Sequence, residues 1–130
     1  MASRIAALNH YRPMIEYHRT AGSRQVAEYI AMRTGLNRGE ILMVLAELHD
    51  ALLFYNGQGQ GVKLEGLGTY LPNINYQGEF NVAYRLDPEL KRALNAGNFS
   101  GRLTNRQHIG KASGEIVALW NSEHPDDPVE

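Results

Sequence analysis

The residues best suited to catalysis or metal binding in this chain of 130 residues are its histidines and a few paired acids. The five histidines are His10, His18, His49, His108 and His124. No two have the His-x-x-x-His spacing that sets two metal ligands on one helix face. Glu47 and Asp50 are three residues apart on a predicted helix, where such acids are usually solvated. We therefore expect no metal site and no glycosidase-like carboxylate pair.

Nucleophilic chemistry is equally poorly supported. The chain has no cysteine, so it can form neither a disulfide nor a thiolate zinc site nor a cysteine nucleophile. It also lacks the Gly-x-Ser-x-Gly elbow of serine hydrolases. We expect a protein that is not an enzyme and that uses no cofactor and no small-molecule substrate.

A glycine-rich run at residues 57–61 (Gly-Gln-Gly-Gln-Gly) has spacing that invites a nucleotide-loop interpretation. A dinucleotide-binding loop follows a strand and opens a helix. Here the order is reversed, because a predicted helix precedes the glycines and a predicted strand follows them. The run is better interpreted as a flexible turn between helix and strand.

Charge is spread unevenly along the chain, whose net charge is −1. Residues 1–38 hold six arginines against Glu16 and Glu28, a net charge of +4, whereas the remaining residues hold 7 basic and 12 acidic side chains, a net charge of −5. Attraction to a polyanion is therefore expected mainly near the N-terminal half. The alternative is that these arginines are ordinary solvated surface, since a nucleic-acid-binding domain is normally basic overall.

Composition indicates one soluble globular domain with ordered extensions, because 43% of residues are hydrophobic and 21% are charged. No apolar run approaches the roughly 20 residues needed to span a bilayer. Residues 1–5 lack the apolar core of a secretory signal. We expect no membrane association and a cytoplasmic location.

The first half of the chain predicts extended structure followed by two helices. Residues 1–22 are predicted to be extended, because Pro13 interrupts a helix, with a short strand at Met14–His18. A helix is predicted from Ser23 to Gly35. A longer one begins at Asn37, where Glu40 completes a capping box, and carries a regular apolar stripe. The stripe consists of Ile41, Leu45, Leu48 and Leu52.

The second half predicts three strands and two further helices. The strands cover about residues 62–64, 69–75 and 79–86, with Pro72 indicating an edge position or bulge. Asp87-Pro88-Glu89 starts a helix in the typical way, with an N-cap, a proline and an acid. Residues 99–111 are predicted to be a loop. A last helix spans Ser113–Ser122, anchored on the core by Trp120, and residues 125–128 form a frayed acidic tail.

This order of elements resembles the HU and integration host factor family of dimeric DNA-bending proteins. The resemblance covers about residues 23–95. The first helix, the Thr34–Arg38 joint, the long helix and the hairpin Val62–Tyr70, with its Gly-Leu-Gly-Thr-Tyr sequence, occur in the family's order, followed by the strand and helix at 84–94. We accordingly divide the chain into an N-terminal extended segment (1–22), an HU-like core domain (23–95) and a C-terminal loop, helix and acidic tail (96–130).

The resemblance implies an α+β fold: an intertwined dimer in which a helical pair is followed by a three-stranded antiparallel sheet and a closing helix, here with an extra C-terminal helix. It implies a homodimer whose strands form a saddle for double-stranded DNA. The apolar content agrees, because a core of some 70 residues cannot cover so many apolar side chains alone. The candidate dimer-interface residues are Ile41, Leu45, Leu48, Leu52, Phe80, Val82 and Tyr84.

The chain departs from the family at the long basic arms that wrap the minor groove. Between the second and third strands a tight turn is predicted instead, and Pro72 lies too near the strand base to take the intercalating role. Contacts to DNA would then be weak and made mainly to the backbone. The candidate DNA-binding residues are Arg24, Arg33, Arg38, Lys63, Arg85, Lys91, Arg92, Arg102, Arg106 and Lys111.

Two functions follow. The first is an HU-like architectural protein of the bacterial nucleoid type, with weak sequence specificity. The second is a structural or protein-interaction module that keeps the HU fold but has lost DNA binding, which the missing arms and the acidic balance favour. The seven tyrosines could stack on bases, but their alternation with polar residues favours packing roles.

Overall fold

Five α-helices and five β-strands make up the computed structural model, which describes residues 1–130. In chain order they are α1 (Arg4–Tyr11), β1 (Met14–Glu16), α2 (Ser23–Thr34), α3 (Arg38–Asn56), β2 (Val62–Leu64), β3 (Gly68–Ile74), β4 (Phe80–Leu86), α4 (Pro88–Ala93), β5 (Arg102–Thr104) and α5 (Ser113–Glu123). None of these helices is both long and apolar enough to cross a membrane.

The elements form two compact units. Residues Arg19–Phe99 make up the central unit, and the two ends of the chain, Met1–His18 and Ser100–Glu130, together make up the terminal unit. The predicted division into an N-terminal segment (1–22), an HU-like core domain (23–95) and a C-terminal segment (96–130) stays a prediction. The structure adds that the two ends of the chain share one unit, in which β1 pairs with β5 and Ile15 lies opposite Leu103.

The two helices of the central unit begin and end where local signals place them. Gly35 ends α2 with a left-handed φ of 77°, and its N–H donates to the carbonyl of Ala31. Asn37 caps α3, because its Oδ1 accepts a 2.8 Å hydrogen bond from the Glu40 N–H while its amide donates to the Glu40 carboxylate. Both signals were predicted and are confirmed.

The central sheet has the order β2–β3–β4 with antiparallel pairing throughout. Gly68 lies in close contact with β4, and a Cβ there would overlap the carbonyl oxygen of Arg85. The Tyr84 hydroxyl donates a 2.7 Å hydrogen bond to the carbonyl of Leu67, which holds the β2–β3 turn against β4. The three predicted strands are confirmed.

Helix α4 closes the central unit as predicted. Asp87 is its N-cap and accepts a 2.9 Å hydrogen bond from the N–H of Glu89, and Pro88 occupies the first turn. The second carboxylate oxygen of Asp87 accepts a 3.0 Å bond from the N–H of Gly66. One side chain therefore ties α4 to the β2–β3 hairpin.

The prediction that residues 1–22 are extended throughout was wrong for Arg4–Tyr11, which form α1. Ser3 caps this helix by accepting a 3.0 Å bond from the Ala6 N–H. The helix ends at Tyr11, two residues before Pro13, so the proline never enters it. Packing against α5 stabilises α1, since Ala7 is fully buried and Tyr11 is 5% exposed.

The prediction of a loop over residues 99–111 was also wrong. Arg102–Thr104 form β5, which pairs antiparallel with β1, and residues Arg106–His108 form a short 3₁₀ turn. A three-residue strand is too short to show an alternating pattern in sequence. Its existence depends on β1, which is itself confirmed as the predicted strand near Met14.

Helix α5 is confirmed, but the segment after it is not a frayed tail. The Trp120 Nε1–H donates a 2.7 Å bond to the carbonyl of Asp127. The Asn121 amide makes two bonds to the backbone of Val129, which is 8% exposed. The prediction that Trp120 anchors α5 on the core was wrong about its packing partners, because its neighbours are the rings of His10 and Tyr11 in the terminal unit.

Candidate nucleic-acid interface

One face of the central sheet carries two basic side chains in a single row. Lys63 on β2 lies opposite Thr69 on β3, and Thr69 lies opposite Arg85 on β4. Directly opposed residues of paired strands point to the same face, so the three side chains form a row across the sheet, here called the basic row. Lys63 and Arg85 are exposed and neither belongs to an ion pair.

The rest of this face is neutral. Strand alternation places the pairs Leu71–Ala83 and Asn73–Asn81 beside the basic row. No strand position on this face carries a carboxylate. A phosphate approaching the face therefore meets two cations and no opposing charge from the strands.

A cleft of about 410 Å³ borders the basic row and adds Arg92 of α4 to Lys63 and Arg85. Three carboxylates, from Glu65, Asp87 and Glu89, also line it. Hydrogen bonds from the N–H groups of Glu89 and Gly66 hold the pKa of Asp87 below its usual value, with a smaller contribution from the charges of Lys63 and Arg92. The lowered pKa keeps Asp87 ionised at neutral pH, so its carboxylate partly offsets the charges of these cations.

The predicted cations on α2 and α3 are not grouped in this way. Arg38 makes a 3.0 Å ion pair with Glu28 across the two helices. Arg33 lies over the ring of Tyr29, 5.4 Å from its centroid, and donates a 3.2 Å bond to the Tyr29 hydroxyl. Arg24, in the first turn of α2, is exposed without an ion pair.

The other predicted cations fall elsewhere. Lys91 is exposed on α4. Arg102, Arg106 and Lys111 belong to the terminal unit. Of the ten candidates, the structure brings together Lys63, Arg85 and Arg92. Their spacing in sequence does not distinguish these three from the other seven.

The opposite face of the sheet is apolar, half-buried along β2 and most of β3 and exposed along β4. Tyr70 packs on Tyr84 with ring centroids 5.2 Å apart, so these two tyrosines have packing roles. Among the predicted interface residues, Phe80 is 81% exposed, Val82 48% and Tyr84 51%. Leu53 of α3 joins Phe80 and Val82 in lining a groove of about 340 Å³.

The predicted stripe on α3 lies mostly against its own unit. Ile41 is only 4% exposed, and Leu45, Leu48 and Leu52 are half-buried. The large apolar side chains that α3 leaves most exposed are a different set: Met43, Val44, Leu53 and Phe54. The sequence did carry a signal for this second surface, because α3 is apolar on nearly all sides. Such a helix is typically buried all round, which indicates that a partner covers the side left exposed here.

Sequence reasoning also missed a cluster of aromatic and histidine rings in the terminal unit. The rings of Trp120 and His124 stack with centroids 3.8 Å apart, and His10 lies 5.4 Å from Trp120. His108 packs edge-on against Tyr11 at 5.1 Å. Three histidines that are distant in sequence therefore lie around Trp120 and Tyr11, although no group of histidine and acidic side chains is arranged to hold a metal ion.

Comparison with protein families relates the chain to HU domains. The family model HU-HIG, described as "HU domain fused to wHTH, Ig, or Glycine-rich motif", matches residues 6–100. No curated protein matches the sequence. The family match contains the whole central unit, whereas β5, α5 and the C-terminal segment lie outside it.

Proposed function

This chain belongs to the HU-HIG family, and we propose that it is an architectural DNA-binding protein of the nucleoid, acting as a homodimer. HU domains are DNA-binding modules rather than enzymes. The observation that carries the proposal is the basic row, Lys63–Thr69–Arg85, on a sheet face without carboxylates. Lysine and arginine in such a row bind phosphates and fix the protein on the duplex without reading its sequence.

The exposed apolar surface of the central unit supports the homodimer. Ala27 and Ile41 are its only buried hydrophobic residues, while Leu53, Phe54 and Phe80 are each more than half exposed. Leu53 and Phe80 also line one groove, and exposed apolar side chains grouped in this way are typical of an interface. A second copy would present the same surface, so a two-fold arrangement covers both at once.

Binding is expected to be weak. The central unit contains eight basic and eight acidic residues. Its β3–β4 connection is a short turn, in which Asn75 Oδ1 accepts bonds from the N–H groups of Gln77 and Glu79, rather than a long arm. Because few cations can reach phosphates, affinity falls in the non-specific range of about 10⁻⁴–10⁻⁶ M at physiological salt.

Fluorescence anisotropy with a labelled duplex at several salt concentrations tests DNA binding. The variants Lys63→Ala and Arg85→Ala should each lower the slope of log K against log salt by about 0.9 for each phosphate that is no longer neutralised. Arg4→Ala is the matched control, because Arg4 is an exposed arginine of the terminal unit that bonds only to Ser113. Absence of binding at low salt and high micromolar protein would overturn the proposal, as would equal slopes for all variants.

Sedimentation equilibrium tests the homodimer. Leu53→Glu should shift the wild-type dimer towards monomer, because it sets a charge in the apolar groove. Ile5→Glu, at a 71% exposed position on α1, should leave the dimer unchanged. A folded wild-type monomer at all micromolar concentrations contradicts the proposal.

A second candidate function is an HU-fold interaction module without DNA binding. The carboxylates of Glu65, Asp87 and Glu89 beside the basic cations favour it. This candidate function predicts that the wild-type protein is a dimer that does not bind the DNA duplex even at low salt. The two experiments together therefore separate the two functions.

A further inference from the structure

The segment from Leu90 to Gly114 is the longest part of the chain that combines several cations with no acid. It contains five basic residues and no aspartate or glutamate: Lys91, Arg92, Arg102, Arg106 and Lys111. Residues 101–114 of this run lie in the terminal unit and outside the family match. Their charge pattern is thus a property of this chain beyond the HU domain.

This part of the terminal unit has a well-defined backbone. Asn105 adopts a left-handed conformation with φ 54°, and its amide donates 3.0 Å bonds to the carbonyls of His10 and Arg12. The N–H of His108 donates a 3.0 Å hydrogen bond to the Asn105 carbonyl, and the N–H of Lys111 donates a 3.2 Å bond to the His108 carbonyl. Cations on a preorganised turn lose less entropy on binding than cations on a flexible tail.

The charges of Arg106 and Lys111 are available to a partner. Both side chains are exposed, and neither lies within ion-pair distance of a carboxylate. Lys111 Nζ lies 3.1 Å from His108 Nδ1, and this contact does not neutralise the positive charge of Lys111. Arg102 differs, because Glu16 lies opposite it in the β1–β5 pair.

The acids of the terminal unit lie on other elements. Glu123 on α5 accepts the Tyr11 hydroxyl, and Asp127 in the C-terminal segment pairs with the N-terminal ammonium group. The remaining acids are Glu16 on β1, Glu115 in the first turn of α5, and Asp126 and Glu130 in the C-terminal segment. None of them is paired with the turn that carries Arg106 and Lys111.

We infer that Arg106 and Lys111 form a second phosphate-binding surface, so that the terminal unit binds the DNA backbone in addition to the HU domain. The inference rests on the proposed DNA-binding function. The surface supplies two point charges and no base-reading group, so it adds affinity and salt dependence without adding sequence preference. A dimer carries the surface twice.

The test compares the full-length wild type with Arg106→Ala/Lys111→Ala by anisotropy on a labelled duplex across a salt series. A dimer carries both residues twice, so two to four of these cations would neutralise phosphates. Their removal should reduce the magnitude of the salt slope by about 2 to 4. Binding near physiological salt should weaken on the order of 10-fold to 10³-fold. The charge-preserving variant Arg106→Lys/Lys111→Arg should keep the wild-type slope.

Emission from Trp120, the single tryptophan, reports whether the terminal unit stays folded in each variant. If the double alanine variant changes that emission, it is replaced by Arg106→Gln/Lys111→Gln, which keeps the aliphatic part of both side chains. The salt slope of this variant is then compared with that of the wild type. A wild type that binds DNA with a slope unchanged in these variants overturns this inference and leaves the proposed function standing. A wild type that does not bind DNA overturns both.

Discussion

The Tyr11 hydroxyl donates a 2.5 Å hydrogen bond to the carboxylate of Glu123, which joins the last residue of α1 to the last residue of α5. Tyr11 is 5% exposed, and its burial, the hydrogen bond and the charge of Glu123 raise its pKa from 10.0 to about 12. Two residues 112 positions apart in sequence therefore hold the two ends of the chain in one unit.

The terminal unit should lose stability at alkaline pH. Because the folded-state pKa of Tyr11 is raised, its contribution is complete below pH 10 and is lost as pH rises from about 10 to about 12. Tyr11→Phe should be less stable at pH 8 and should lack this alkaline decline. Urea unfolding followed by Trp120 fluorescence between about pH 8 and about pH 11.5 measures both effects. Tyr17→Phe, at an 85% exposed position, is the control, and parallel pH profiles for wild type and Tyr11→Phe would contradict the assignment.

Asn121→Ala should destabilise the terminal unit by about 1–3 kcal/mol, because it leaves backbone groups of the buried Val129 without partners. Denaturant unfolding monitored at Trp120 gives the free energy. Asn9→Ala removes an exposed asparagine from α1 and should change stability little. Equal unfolding midpoints for both variants would show that the C-terminal segment is not held by this amide.

Acid should weaken the link between α4 and the β2–β3 hairpin. The pKa of Asp87 is lowered in the folded state, so its contribution is present above the ordinary carboxyl pKa of 3.8 and is lost as pH falls below that value. Asp87→Asn should therefore show a smaller acid-dependent loss of stability than the wild type. Far-UV circular dichroism during acid titration measures the difference, with Asp50→Asn as control. A steeper acid transition in Asp87→Asn would refute the role of the carboxylate.

Gly68→Ala should disturb the pairing of β3 with β4, because the added Cβ would overlap the carbonyl oxygen of Arg85 and lie 2.6 Å from the ring of Tyr84. We expect stability to fall by about 1–3 kcal/mol and DNA binding to weaken, since Arg85 would move out of the basic row. Thermal unfolding and anisotropy measure the two effects. Gly22→Ala, where an added Cβ has no neighbour within 4 Å, should behave like the wild type.

The central unit could be predicted closely because its signals are local. Gly35 ends a helix, Asn37 begins one, and Asp87-Pro88 begins another, whatever the rest of the chain does. The candidate DNA site was predicted only as ten scattered cations. Lys63 and Arg85 share a row because of strand register, and Arg38 is engaged by Glu28 because α2 packs on α3.

The sequence by itself thus determined the helices, strands and turns of residues 23–93, since their caps, glycines and apolar periods act within a few positions. In the terminal unit the sequence predicted β1 and α5, whereas tertiary structure decided the rest: β5 exists through β1, the C-terminal segment is held by Asn121, and three distant histidines surround Trp120 and Tyr11. It also decided which side of α3 stays exposed. These features depend on contacts between residues far apart in the chain, and short segments carry no periodic signal that would reveal them.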